Sequence, residues 1–311
     1  MQIAILGATS HIAKDMVLSF SKQGNHRLAL FARHPEVVKQ WLASVNLRGQ
    51  YTIADFGSFK MEEHFDVIIN FVGSGNPAQT AAMGASIFDV TLQYDEVALN
   101  YVRQHPDCRY LFLSSGAAYG SVFDKPADVN TNAVIAINNL KPQDWYAVAK
   151  LYAECRHRSL PHLPIVDIRV FNYFSCTQDV AARFLITDIL RAIRDNEVLT
   201  TSSEYIVRDF LHPSDFYKLV SALLSSPATN AVVDAYSRAP IDKPDLLLAM
   251  QEKFGLCYEI ATASAGINAT GGKTHYYSLN TRAADFGYQP SLTSLEGILQ
   301  ESEKILNLQQ K

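Results

Sequence analysis

Tyr146 and Lys150 stand four residues apart in Tyr146-Ala147-Val148-Ala149-Lys150. On a helix that spacing puts a phenol and an ammonium on one face. A nearby cation favours phenolate, and so lowers a tyrosine pKa from about 10 toward the range useful for general acid–base work. Ser115 lies in Leu113-Ser114-Ser115-Gly116-Ala117-Ala118-Tyr119-Gly120, which closes an apolar run. A hydroxyl there could hold the substrate oxygen that gains or loses the proton. A tyrosine–lysine pair alone reads equally well as a surface helix with a snorkelling lysine. Together with the serine and an upstream phosphate loop, it reads as a proton-transfer set.

That loop is Gly7-Ala8-Thr9-Ser10-His11-Ile12-Ala13, between an apolar run and a helical stretch. Such a turn can hold pyrophosphate on the backbone amides and dipole of a helix N-terminus, which makes Gly7, Thr9, Ser10, His11 and Ile12 cofactor-binding candidates. Gly7 supplies the tight turn, whereas Ser10 and Ala13 occupy positions where glycine is usual. Ala13 is small enough for helix–strand packing; a Cβ at Ser10 crowds the cofactor's approach. After the second apolar run comes Phe31-Ala32-Arg33-His34 in place of a ribose-binding acid. Arg33 can meet a 2′-phosphate, which favours NADP(H) and leaves NAD(H) open. Asp55 is placed for an adenine amine, and Phe71, Val72 and Gly73 for close backbone approach to the cofactor.

These residues need a scaffold that brings distant segments to one edge. Runs at 3–6, 27–32, 51–54, 66–72, 108–114 and 165–170 read as strands, several apolar on both faces, as a buried parallel sheet requires. Helical spacing occupies 11–22, 35–44, 85–104 and 144–158 between them. The alternation predicts an α/β fold, a Rossmann-type doubly wound parallel sheet. Beyond Asn172 the pattern is mixed: helices at 180–195, 214–224, 243–254 and 295–308, with short β-like pieces at 231–235 and 276–279. The expected division is a dinucleotide-binding domain at 1–172. A smaller, mixed α/β substrate-binding domain follows at 173–311, with parts returning to the first.

The 311 residues are 48% apolar and 19% charged, with a net charge of −4 and no long run of one sign. That balance gives no footprint for nucleic acid or an anionic membrane. Fifteen glycines, about 5%, fall below the usual ~7%. Cys108, Cys155, Cys176 and Cys257 show no metal or disulfide spacing, and fit a reducing compartment. His157 and His162 are not at productive ligand spacing, so no metal is expected. The uncharged window 67–88 is broken by polar residues that a bilayer span would not tolerate. With no basic leader at Met1, the expected location is the cytoplasm.

The motifs in order resemble the extended short-chain dehydrogenase/reductase superfamily, in its NAD-dependent epimerase/dehydratase branch, over nearly the whole chain. The resemblance rests on Gly7–Ala13, on the segment 114–120 with Ser115, and on Tyr146 with Lys150. It extends to Arg169-Val170-Phe171-Asn172 and to Val207-Arg208-Asp209-Phe210-Leu211-His212. It implies hydride transfer between a nicotinamide and a sugar carbon. Tyr146 would move the proton, Ser115 orient the oxygen, and Lys150 hold the nicotinamide ribose. Asn172 and Arg208 would hold a nucleotide sugar's diphosphate, which suits a planar guanidinium.

The resemblance also implies a homodimer built on the helices near 85–104 and 144–158. Sugar 4,6-dehydratases carry an acidic pair after the active hydroxyl, where this chain has Gly116-Ala117. The remaining expectations are an NADPH-dependent reductase of a nucleotide-linked keto-deoxysugar and, as the alternative, an NAD-dependent 4-epimerase. A non-catalytic dinucleotide sensor or scaffold is a different class; such relatives tend to lose the tyrosine–lysine pair that this chain keeps.

Overall fold

Ile3, Ala4, Ile5 and Leu6 are all 0% exposed, so the strand they form has protein on both faces, as a sheet covered by helices requires. The computed structural model describes residues 1–23, 26–47, 49, 51–73, 80, 82–261 and 273–308. In chain order the first elements are β1 (Gln2–Leu6), α1 (His11–Gln23), β2 (Arg27–Phe31), α2 (Pro35–Ser44), β3 (Tyr51–Ala54) and β4 (Val67–Asn70). They continue with α3 (Ser86–Gln104), β5 (Arg109–Ser115), α4 (Trp145–Arg158), β6 (Ile165–Val170) and β7 (Asn172–Tyr173). Then come α5 (Leu185–Asp195), β8 (Val198–Ser202), β9 (Val207–Arg208), β10 (Phe210–Leu211), α6 (Pro213–Ser225) and β11 (Ala231–Asp234). The last are β12 (Ile241–Asp242), α7 (Lys243–Phe254), β13 (Cys257–Ala261), β14 (His275–Tyr276) and α8 (Ser294–Leu308).

Seven strands form one sheet in the order β11-β6-β5-β4-β1-β2-β3, and every pairing in it is parallel. This is the doubly wound Rossmann-type fold, whose strand order reverses between β1 and β4. Alternate residues feed two cores. Ile3, Ile5, Leu28, Leu30 and Ile69 pack under α1 and α6, while Ala4, Leu6, Ala29, Phe31 and Ile68 pack under α3. A third core, built from α5, α7 and α8 with Ile189, Leu246, Met250 and Ile298, sits in the second half of the chain. Short sheets β10-β7, β12-β9-β14 and β13-β8 bridge that half to the C-terminal edge of β6 and to one another. β11 returns from it to the edge of the large sheet, beside β6.

Two of the expected elements differ by more than two residues at one end, and β8 and β13 have no counterpart in the sequence expectation. The helix expected over 180–195 begins at Leu185, because Thr187 Oγ1 takes the Phe184 N–H at 3.0 Å and donates to the Ala182 carbonyl at 2.5 Å. Those bonds fix a turn where helical spacing alone suggested a continuous helix. The strand expected over 276–279 is instead His275–Tyr276, and Leu279 is 60% exposed. Part of the uncharged window 67–88, at 74–79 and 81, lies outside the described residues; its described ends are β4 and the start of α3. Among the described residues no helix is long and apolar enough to cross a membrane.

Candidate functional site

The parallel register aligns Leu6 with Phe31 and Asn70, Phe31 with Ala54, and Asn70 with Phe112. The residues that follow these strand ends therefore share one edge of the sheet, at the point where strand order reverses. Gly7 begins the turn with φ +80°, and a Cβ there would lie 2.9 Å from Val72 N and 3.0 Å from the Phe71 carbonyl carbon. Glycine is required on both counts, and the contact joins the phosphate loop to Phe71 and Val72. The Gly7 and Ala8 amides both donate to Phe31 O, at 2.9 and 3.0 Å.

Ser10 caps α1: its Oγ accepts the Ala13 N–H at 3.2 Å. The glycine position of the fingerprint thus serves here as a helix cap. The His11 and Ile12 amides begin the helix without intrahelical acceptors, beside exposed Thr9 and at the positive end of the dipole. The Ile12 side chain packs on the core. The His11 ring pairs with Ser175 Oγ at 2.6 Å and stands 3.5 Å from Asp15 Oδ2. Burial holds its pKa below the ordinary 6.5, against the pull of Asp15.

Arg33 is exposed just beyond β2 and has no ion pair among the described residues. Asp55 is exposed beyond β3, where its Oδ1 takes the Ser58 N–H at 2.9 Å and the Ser58 hydroxyl at 2.8 Å. One carboxylate oxygen is therefore committed to a local turn. Gly73 ends β4's extension beside Lys150, since a Cβ on it would lie 3.6 Å from Lys150 Nζ. The open His11 and Ile12 amides at the helix start and the close glycines form a cradle that fits a nicotinamide dinucleotide.

α4 lies against β5 and carries Tyr146 and Lys150. Lys150 is 3% exposed. Its Nζ donates to Leu113 O at 2.8 Å and stands 4.4 Å from the Phe112 ring centroid. Burial pushes it down to about 8, opposed by Asp95, Glu154 and Asp167. Behind it, Glu154 accepts from Ser114 Oγ at 2.5 Å and from Arg169 Nη2 at 2.6 Å, which locks the end of β5 to α4.

The expectation that Lys150 lowers the Tyr146 pKa is corrected. Burial raises it above the ordinary 10, and the polar neighbour opposing that rise is Ser115. Lys150 Nζ stands 5.8 Å from the Tyr146 ring centroid and spends a hydrogen bond on Leu113 O. At that distance it does not offset the desolvation of a phenolate.

Ser115 Oγ accepts the Ala117 N–H at 3.1 Å and lies 3.2 Å from the Tyr276 hydroxyl. The Tyr276 ring packs on Phe123 and Phe171, with centroids 4.8 and 5.2 Å away. Lys273 Nζ stands 4.4 Å and the Arg208 guanidinium 6.0 Å from the same ring. Arg208 Nη1 donates to Val207 O at 2.9 Å and Thr274 O at 3.3 Å. Burial lowers Arg208 to about 10 and, with Arg208 beside it, Lys273 to about 8. Asn172 Nδ2 donates to Asp209 O at 3.2 Å and Tyr276 O at 3.4 Å. Ser115, Tyr146, Lys150, Asn172 and Arg208 thus converge.

Lys273 is a basic neighbour that the sequence did not single out, because a lone lysine carries no pattern. His275-Tyr276-Tyr277 read only as strand or pocket wall. The signal available was the aromatic pair at a strand end, which does not say what Tyr276 touches.

The sequence profile of the NAD dependent epimerase/dehydratase family matches residues 3–237. A search of curated proteins finds no match. Among solved structures, the chain is similar to a UDP-glucuronic acid 4-epimerase from Bacillus cereus, bound to UDP-glucuronic acid and NAD. That likeness has 13% identity and a TM-score of 0.75, and covers 99% of this chain and 100% of the other. A UDP-glucose 4-epimerase from Thermotoga maritima, bound to UDP-glucose, matches at 15% identity and a TM-score of 0.76, covering 100% of both chains. A dTDP-glucose 4,6-dehydratase from Bacillus anthracis, bound to NAD, matches at 16% identity and a TM-score of 0.74, covering 97% of this chain and 96% of the other.

Proposed function

Because the chain belongs to the NAD-dependent epimerase/dehydratase family, we propose that it is an oxidoreductase of a nucleotide-linked sugar. In this reading it is an NADPH-dependent reductase of a nucleotide-linked keto-deoxysugar. The observation that carries it is the convergence of Ser115, Tyr146 and Lys150 at the end of β5, with Arg208, Lys273 and Asn172 on the far side.

The cofactor, when bound, supplies a hydride at the nicotinamide. Tyr146, kept protonated by burial, is the general acid for the ketone oxygen, and Ser115 donates a second hydrogen bond to that oxygen. Lys150, whose ammonium lies beside Gly73, holds the cofactor's ribose. Arg208 and Lys273 bring two cations to one wall, where a diphosphate would supply the opposite charge, and Asn172 adds a donor. Binding energy from the diphosphate then positions the reacting carbon. Arg33 and the absence of an acid after β2 support NADP(H).

The packing at Gly116 argues against dehydration. A Cβ there would come within 2.4 Å of the Phe171 ring, so the position that carries an acid in dehydratases cannot hold one without displacing a buried aromatic. A 4-epimerase using NAD is the second reading, favoured by the two similar 4-epimerase structures, one of them holding NAD. The expected homodimer would use α3 and α4, which pack side by side.

The test supplies NADPH with a panel of nucleotide-linked 4-keto-6-deoxyhexoses and follows reduced-nicotinamide absorbance. Consumption that is lost in Tyr146→Phe, with cofactor binding retained, is the expected result. No consumption across the panel overturns the reductase. Conversion of UDP-glucose to its 4-epimer without net nicotinamide reduction establishes the second reading. Cofactor binding with no turnover of any sugar returns a sensor or scaffold.

A further inference from the structure

A serine hydroxyl has one proton and two lone pairs, and Ser115 has three polar neighbours competing for them. The Ala117 N–H donates to Oγ at 3.1 Å. The Tyr276 hydroxyl stands 3.2 Å away, and the Tyr146 phenol is the third. Tyr276 cannot swing freely: Phe123 and Phe171 hold its ring, and its own carbonyl accepts from Asn172. Among the described residues, the oxygen in reach of its proton is Ser115 Oγ.

We propose that Tyr276 is a positioning residue for Ser115: it donates its phenolic proton to Ser115 Oγ and so directs the serine proton toward Tyr146 and the substrate oxygen. With Ala117 N–H on one lone pair and Tyr276 O–H on the other, the serine proton has one side left. That proton is then available to Tyr146, whose pKa rise Ser115 opposes, or to the substrate oxygen when one is bound. Burial keeps the Tyr276 phenol protonated, more strongly than Arg208 pulls it down, so it remains a donor where Tyr146 works. The inference rests on the roles given above to Ser115 and Tyr146.

The test is a pH titration of the full chain labelled with [ζ-13C]tyrosine, followed by NMR without added nucleotide; Tyr146→Phe assigns the Tyr146 signal. Tyr276→Phe keeps the ring and removes only the donor. It is expected to raise the Tyr146 midpoint by about one pH unit, through loss of an oriented hydrogen bond to the phenolate. Ser115→Ala should raise it similarly, and the double variant no further than Ser115→Ala alone, since both act through one hydroxyl. An unmoved midpoint in Tyr276→Phe alongside a raised one in Ser115→Ala overturns the proposal and leaves the Ser115–Tyr146 pair intact. If neither variant moves it, the proposal falls together with the proton-transfer set on which the proposed function stands.

Discussion

The proposed preference for NADP(H) over NAD(H) rests on one side chain, Arg33. Its guanidinium is exposed at the end of β2, so any value it has for a 2′-phosphate is a charge-assisted contact made with the ligand rather than with the protein. Arg33→Ser is therefore expected to raise the KM for NADPH about tenfold or more, and to leave NADH within about twofold. Steady-state kinetics with both cofactors reads this directly; equal loss for both would remove Arg33 from the site. Gly116 sets a different limit. Gly116→Ala presses a Cβ into the Phe171 ring, and overpacking of that kind costs about 1–3 kcal/mol, measurable by urea unfolding. Ser115, Tyr146 and Lys150 were legible because a strand end and a single helical turn define their relation within 35 residues of chain. Tyr276 was not. It reaches Ser115 across 161 residues, through a two-residue pairing of β14 with β9 that no hydrophobic period announces.

Helix α4, which carries Tyr146 and Lys150, is anchored at its far end by a buried histidine. His157, 0% exposed, pairs through Nδ1 with Asp167 on β6 at 2.6 Å and through Nε2 with Asp95 on α3 at 2.8 Å. Burial alone would lower its pKa, but Asp167 and Asp95 raise it from 6.5 to about 9. The group is thus more basic folded than unfolded. Its contribution is fully present below about 6.5 and is lost as pH rises through about 9. His157→Gln is expected to cost about 3 kcal/mol at pH 6 and progressively less by pH 10. Urea unfolding of both proteins at the two pH values checks this, and a gap independent of pH would mean that packing, not charge, holds the helix. The strands of the large sheet were legible because both-face burial leaves continuous apolar runs. β8 and β13 were not, since each presents exposed residues such as Val198 and Ile260 and, among the described residues, pairs with the other alone. α5 was mislaid at its start because a threonine's local bonds, invisible to periodicity, set the boundary.

Across the whole molecule, the second half of the chain must stay registered on the large sheet for Tyr276, with Arg208 beside its ring, to reach Ser115. Part of that registration passes through Glu301 on α8, which is 1% exposed. Its carboxylate accepts the Cys176 N–H at 2.6 Å and pairs with His212 Nε2 at 3.0 Å and with Lys304. It thereby ties the last helix to the loop after β7 and to the residue that precedes α6. In that same loop Ser175 meets His11 of the phosphate loop, and Thr177 donates to Asp15 of α1 at 2.8 Å. Burial would raise the Glu301 pKa, but hydrogen bonds from His212, Lys304 and Cys176 bring it down from 4.5 to about 2. A depressed carboxylate stabilises the fold above its unfolded value and loses that contribution as pH falls through the folded one. Glu301→Gln is accordingly expected to cost about 3 kcal/mol at pH 7, a gap that narrows below about pH 4.5 and closes near 2. The sign is opposite to that of His157, so unfolding both variants across one pH series separates the two ties. If the Glu301→Gln gap stays constant from pH 7 to pH 3, the carboxylate's charge is not what joins the two halves.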